Sequence, residues 1–121
     1  MLKLEVGTRV YLSLRSTDMR CGCDRLSRAV EEHFSRNSLD GALYVFLSRD
    51  RKKVKILQWE KDGYWLHYKR LEASTFQVKR REDGAEELTG VDLEALLSGV
   101  ALKRIKLSKR VEESLTEKAV A

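Results

Sequence analysis

The chain contains no proline, so its turns have to be built from glycine, aspartate, asparagine and serine. Cysteine is almost as scarce, with only Cys21 and Cys23, one residue apart. A disulfide at that spacing is strained, and with only His33 and His67 as further ligands the pair supplies no closed tetrahedral zinc site. The two are read as reduced thiols, small side chains beside a helix start, and no metal or other cofactor is implied. No apolar run approaches the ~20 residues of a membrane span, and Met1–Glu5 has no signal-peptide character. A Gly-rich phosphate loop, a helix-turn-helix pair, a zinc finger and an RNA-recognition signature are all missing. These absences predict a cytoplasmic protein with no membrane partner and no obvious element for reading base sequence.

What the chain has is charge. Of its 121 residues 36% are charged, and the net charge is +5, a balance that favours anionic partners. The cations fall in three groups. Arg49, Arg51, Lys52, Lys53 and Lys55 surround one turn, Lys69, Arg70, Lys79, Arg80 and Arg81 follow a hairpin, and Lys103–Arg110 lie near the C-terminus. Guanidinium and ammonium arrays of this kind bind phosphates and release counterions as they do so. A solvated charged surface around a core of buried aromatics accounts for the same residues equally well.

Hydropathy patterning gives an order of strand, helix, strands and short helix. Arg9–Leu14 alternates, with Val10, Leu12 and Leu14 on one face of a half-buried strand. Leu26, Ala29, Val30, His33 and Phe34 recur at helical spacing over residues 24–37, with Asp24 or Asp18 expected to cap that helix and His33 expected as a half-buried stripe residue. Leu43–Leu47 is an uninterrupted apolar run, the mark of a central strand covered on both faces. Val54–Glu60 and Tyr64–Arg70 form a hairpin about Asp62-Gly63, the glycine accepting the positive φ of the turn. With Asp62 and Gly63 as the two turn residues, Trp59 faces Leu66 and Leu57 faces Tyr68, so Trp59 and Tyr68 join the core and Trp65, His67 and Lys69 point the other way. A three-residue turn would instead pair Trp59 with Trp65. Thr75–Lys79 is read as one more possible strand, Arg81–Glu87 as a polar break, and Thr89-x-x-Asp92 as a near capping box before Leu93, Leu96 and Leu97. The expected fold is α+β. It has a small, mainly antiparallel sheet of four to five strands, with one amphipathic helix packed on it and a short C-terminal helix. Residues 1–111 form a single domain and 112–121 a frayed tail.

In series, several of these segments resemble the TnpB accessory protein of insertion-sequence family 66, the product of that element's second open reading frame. The resemblance runs through Val10-Tyr11-Leu12, Thr17-Asp18-Met19-Arg20, Gly22, Asp24 and Leu26. It continues through Gly41–Phe46, Lys55-Ile56-Leu57, Trp59, Asp62–Leu66 and Tyr68–Glu72, and closes on Leu88–Gly99. The chain departs from the family pattern where Asn37–Asp40 replace an Asp-Pro, and where Ser74–Val78 replace a Gly-Arg-Phe and Trp-Pro. The resemblance implies an accessory factor for DNA transposition, encoded beside a separate transposase that is its expected protein partner. The residues supply the expected surface for transposon-end DNA: Arg20, Arg49, Arg51, Lys52, Lys53, Lys55, Trp65, His67, Lys69 and Arg70. Two alternatives stand beside this reading. One is a metal-dependent nuclease using Asp18, Glu60 or Glu72, and the other is a protein-only adaptor that docks the transposase. No catalytic residue is assigned, and nothing in the residues speaks to oligomeric state.

Overall fold

A computed structural model describes residues 4–78 and 84–99. The C-terminal basic run, the proposed tail and Lys79–Arg81 therefore lie outside the described residues. Five strands, β1 (Val10–Ser16), β2 (Leu43–Leu47), β3 (Lys53–Glu60), β4 (Gly63–Arg70) and β5 (Ala85–Leu88), form one sheet in the order β4-β3-β2-β1-β5. Every neighbouring pair is antiparallel except β1 and β2, which run parallel. Helix α1 (Cys23–Phe34) makes the crossover that a parallel pair requires. The chain is α+β, as its patterning predicts.

Each face of the sheet has its own core. On one, Val10, Leu12 and Leu14 of β1, Leu43, Val45 and Leu47 of β2, and Val54 and Ile56 of β3 pack with Phe76, Leu93 and Leu96. On the other, Tyr11, Tyr44, Phe46 and Leu57 meet Leu26 and Val30 of α1. The second helix, α2 (Gly90–Leu97), carries Leu93 and Leu96, so the helices cover opposite faces. Strand β1 is consequently buried on both sides, not half-buried: even Ser13 is enclosed, its Oγ 2.7 Å from His33 Nδ1. His33 is half-buried in the helix stripe as expected.

Several local expectations are corrected. Neither Asp24 nor Asp18 caps α1. Gly22 holds the cap position without a side-chain bond, and Asp18 is turned to Arg20 instead. Residues 75–78 form no strand, although Phe76 and Val78 are buried. The fifth strand lies in the acidic stretch read as a break, because Ala85–Leu88 pairs with the open side of β1. The Thr89–Asp92 capping box is formed in both directions, Asp92 N–H donating to Thr89 Oγ1 at 3.0 Å and Thr89 N–H to Asp92 Oδ2 at 3.1 Å.

The hairpin register differs from both alternatives. Trp59 pairs with Tyr64, Leu57 with Leu66 and Lys55 with Tyr68. The turn residues are Lys61 and Asp62, and Lys61, at φ 55°, takes the left-handed conformation expected of Gly63. This ladder is displaced by two residues from the expected one. Because side chains alternate with period two, an even displacement exchanges partners but leaves every side chain on its expected face.

One part-buried polar cluster ties the segment after α1 to β2. The Tyr44 hydroxyl donates to Asp40 Oδ2 at 2.7 Å, Arg36 pairs with the same oxygen at 2.9 Å, and the Ala42 amide donates to Oδ1 at 2.9 Å. Burial opposes ionisation of Asp40, but the Tyr44, Ala42 and Arg36 donors outweigh it and hold its carboxyl below the ordinary range. The Ser48 hydroxyl and Lys52 amide lower Asp50, and the Arg20 guanidinium brings Asp18 down to about 2. The unfolded chain therefore binds more protons at low pH, and the stabilisation these groups give is complete above about pH 5 and is lost as pH falls towards 2. Urea midpoints measured across that window should drop, and Asp40→Asn should flatten the drop.

Candidate nucleic-acid interface

The basic end of the sheet is assembled from three segments distant in sequence. Thr17 N–H donates to Leu47 O at 2.8 Å, which pins the Thr17–Gly22 loop where β2 runs into the basic turn. That turn is shaped by Asp50, whose Oδ1 accepts from Ser48 Oγ at 2.6 Å and from Lys52 N–H at 3.0 Å. The last segment is the end of β4, where Arg70 lies directly opposite Lys53.

On the α1 face, two successive cross-strand pairs, Lys53–Arg70 and Lys55–Tyr68, set three cations around one tyrosine. Helix α1 does not reach Tyr68, whose side chain is 52% exposed and stands outside the core in which its expected register would have put it. Lys55 Nζ lies 5.9 Å from the Tyr68 ring centroid and donates to Cys21 O at 2.8 Å. Arg20 precedes Cys21 in the chain. Its guanidinium grips Asp18 from Nε and Nη2, the shortest contact being 2.7 Å. Arg70 is likewise paired with Glu72 at 2.9 Å. Both pairs are exposed, and exposed pairs contribute only about 0–1 kcal/mol, so either arginine can exchange its carboxylate for a stronger anion at little cost.

Two like charges facing each other across a ladder are ordinarily destabilising, by a few tenths of a kcal/mol to about 1 kcal/mol. Lys53 and Arg70 are such a cross-strand pair, with the Arg70 guanidinium turned to Glu72.

The remaining predicted residues lie elsewhere. Trp65, His67 and Lys69 occupy the α2 face, opposite to Lys55. Trp65 is 57% exposed, donates from Nε1 to Glu60 Oε2 at 2.7 Å and stacks on His67 with centroids 6.3 Å apart. Lys69 Nζ donates to Leu97 O at 2.8 Å, a cation on the negative end of α2. Arg49 and Lys52 are exposed on the turn. Arg51 is half-buried, at φ 57°, and its guanidinium donates to Val78 O while its carbonyl accepts from Phe76 N–H at 2.6 Å. Arg51 thus clamps the segment that inserts Phe76 and Val78 into the core. Arg51→Ala should cost about 1–2 kcal/mol through removal of the charge-assisted bond, measurable as a lower urea midpoint.

Tyr68, which the expected register assigns to the core, is exposed and joins the candidate site. Its signal is its position near the end of β4 just before Lys69 and Arg70, farther from the hairpin turn than the aromatics that pack there. The carboxylates proposed for a nuclease do not converge. Asp18 is held by Arg20, Glu60 by Trp65 and Glu72 by Arg70, and no group of three or more potential metal ligands occurs among the described residues. No helix among the described residues is long and apolar enough to cross a membrane.

Fold and surface define a small α+β domain whose sheet ends in a cationic, aromatic rim. Residues 8–107 match the family model described as IS66 Orf2 like protein, and the chain belongs to that family. It is 36% identical over 100 residues to the uncharacterized protein y4hO of Sinorhizobium fredii, covering 83% of this chain and 87% of that one. It is 24% identical over 100 residues to the uncharacterized protein y4jC of the same organism, covering 83% and 86%. No solved structure matches it. Family membership points to an accessory role in insertion-sequence transposition, with the element's transposase as the associated protein.

Proposed function

We propose that this accessory protein binds DNA, alone or with the transposase, through the rim formed by Arg20, Lys53, Lys55, Tyr68 and Arg70, with Arg49 and Lys52 extending it along the turn. The observation that carries the reading is the Lys53–Arg70 juxtaposition beside Lys55 and an exposed tyrosine. A phosphate oxygen between the two cations would relieve their repulsion and replace the carboxylates now on Arg20 and Arg70. Tyr68 offers an aromatic face for an unpaired base, of the kind opened at a transposon end. Among the described residues the rim carries no helix to fill a groove, so the contacts proposed there are to backbone and shape.

The test is a titration of the full chain with duplex and single-stranded DNA carrying the element's ends across a salt series. Log affinity is expected to fall linearly with log salt, with a slope of about −0.9 per duplex phosphate engaged. A flat dependence would reject phosphate-driven binding.

A further inference from the structure

We propose that β4 is the seam of a homodimer, in which the outer edge of β4 pairs antiparallel with β4 of a second copy and the two sheets become one. The inference shares Tyr68 and Arg70 with the DNA reading, but it concerns the backbone edge of the sheet and is tested without DNA.

Sheet edges invite pairing unless they are short, bulged, charged or covered. The two edges of this sheet differ in that respect. Strand β5 is four residues long and carries Glu86 and Glu87. Strand β4 is eight residues long, is paired with β3 without a bulge along its whole length, and exposes Trp65 and Tyr68. Its hydrogen-bonding parity is set by Leu71 N–H donating to Lys52 O at 2.7 Å, which continues the register of the hairpin. Positions alternate along an antiparallel ladder, so Gly63, Trp65, His67 and Lys69 turn their backbone groups towards β3. Tyr64, Leu66, Tyr68 and Arg70 turn theirs outward, and among the described residues no strand pairs with them.

The charge pattern of β4 selects the occupant and its direction. The strand is aromatic at its turn end, with Tyr64 and Trp65 beside Asp62 of the turn and Glu60 at the end of β3, and basic at the other, with Lys69 and Arg70. A parallel partner of the same sequence would set like charges side by side. An antiparallel copy sets the basic end of each strand on the acidic, aromatic end of the other. One register engages all four outward-facing residues. It places Tyr64 opposite Arg70 of the second copy, Leu66 opposite Tyr68, Trp65 opposite Lys69, and His67 opposite itself on the two-fold axis. Each basic side chain then lies over a ring, and Lys69 meets the Trp65 whose indole already holds Glu60. The two cationic rims would fall on the same face of a continuous ten-stranded sheet.

Sedimentation of the full chain without DNA should give twice the 14.0 kDa mass. The register is tested by cysteine crosslinking in a Cys21→Ser, Cys23→Ser background. His67 would form a non-hydrogen-bonded pair with itself, about 4.5 Å between Cα atoms, within reach of a disulfide. His67→Cys should therefore crosslink to a covalent dimer in a glutathione redox buffer, and Trp65→Cys, which faces Lys69, should not. Tyr68→Pro removes an outward N–H together with an exposed ring, and should reduce the mass to that of one chain with an unchanged circular dichroism spectrum. A single-chain mass at every concentration overturns the proposal. So does a dimer that survives Tyr68→Pro with the fold intact, or one in which both cysteine variants crosslink equally. A chain that is single alone but pairs with the transposase through this edge also overturns it, and assigns β4 to a foreign strand.

Discussion

Converting both Lys53 and Arg70 to glutamine should lower affinity for element-end duplex DNA by on the order of a hundredfold near 0.1 M salt, and should make the salt dependence shallower by about two units of slope. The magnitude follows from counterion release, which gives roughly a factor of ten at that salt concentration for each phosphate that is no longer neutralised. The double variant keeps the fold, because neither side chain belongs to a core cluster and glutamine keeps most of the length of both. Its stability should be unchanged or slightly higher, because a like-charge cross-strand pair has been removed. Affinity and stability thus move in opposite directions. A surface whose cations serve only solubility gives no such divergence. Equilibrium binding at four or five salt concentrations, with a urea midpoint on the same preparations, checks both. Equal binding by the variant and the parent chain would remove these two residues from the interface.

The largest effect on stability is expected at Phe46. It is fully buried in the central strand and packs edge-on against Phe34 and His33 of α1, with both centroid separations at 5.8 Å. Phe46→Ala removes the ring and leaves a cavity beneath the helix, at a cost of about 3–5 kcal/mol. For a chain of this size that is a fall in melting temperature of roughly 10–20 °C. Phe46→Leu fills most of the space and should cost much less. Thermal unfolding by circular dichroism distinguishes the two. An alanine variant that melts with the parent chain would mean that α1 does not depend on this ring.

Some of the structure was legible because a short stretch of sequence determines it. The apolar run Leu43–Leu47 could only be a strand with both faces covered, and it sits mid-sheet. The Thr89–Asp92 box is a local contest between side-chain and backbone donors, and it is won as composition predicts. Hairpin register is a different matter. Asp-Gly announces a turn, but which residue takes positive φ depends on how Trp59, Tyr64, Leu57 and Leu66 pack as pairs. Here Trp59 meets Tyr64 edge-on at 5.0 Å, and Lys61 accepts the left-handed conformation. Strand β5 escapes a sequence reading because four residues of mixed polarity carry too little periodicity. Only the unfilled side of β1 makes them a strand. The rim was legible as composition but not as geometry. That Lys55 reaches Cys21 and that Arg51 is turned inward to Val78 are outcomes of topology. No window of sequence contains them.

The place of β1 in the sheet carries a consequence for how the chain comes to be folded during synthesis. Its neighbour on one side, β2, follows after a single helix, but its neighbour on the other, β5, lies roughly 70 residues downstream. A nascent chain can therefore complete four strands and still present β1 as a bare margin, with the slots that Leu88 and Leu93 will fill standing open. For that interval the growing polypeptide holds two unprotected margins, β1 and β4, and it loses the first only when its closing strand has emerged. The short acidic β5 thus works as a latch, and the order of synthesis makes it the last part of the sheet to engage.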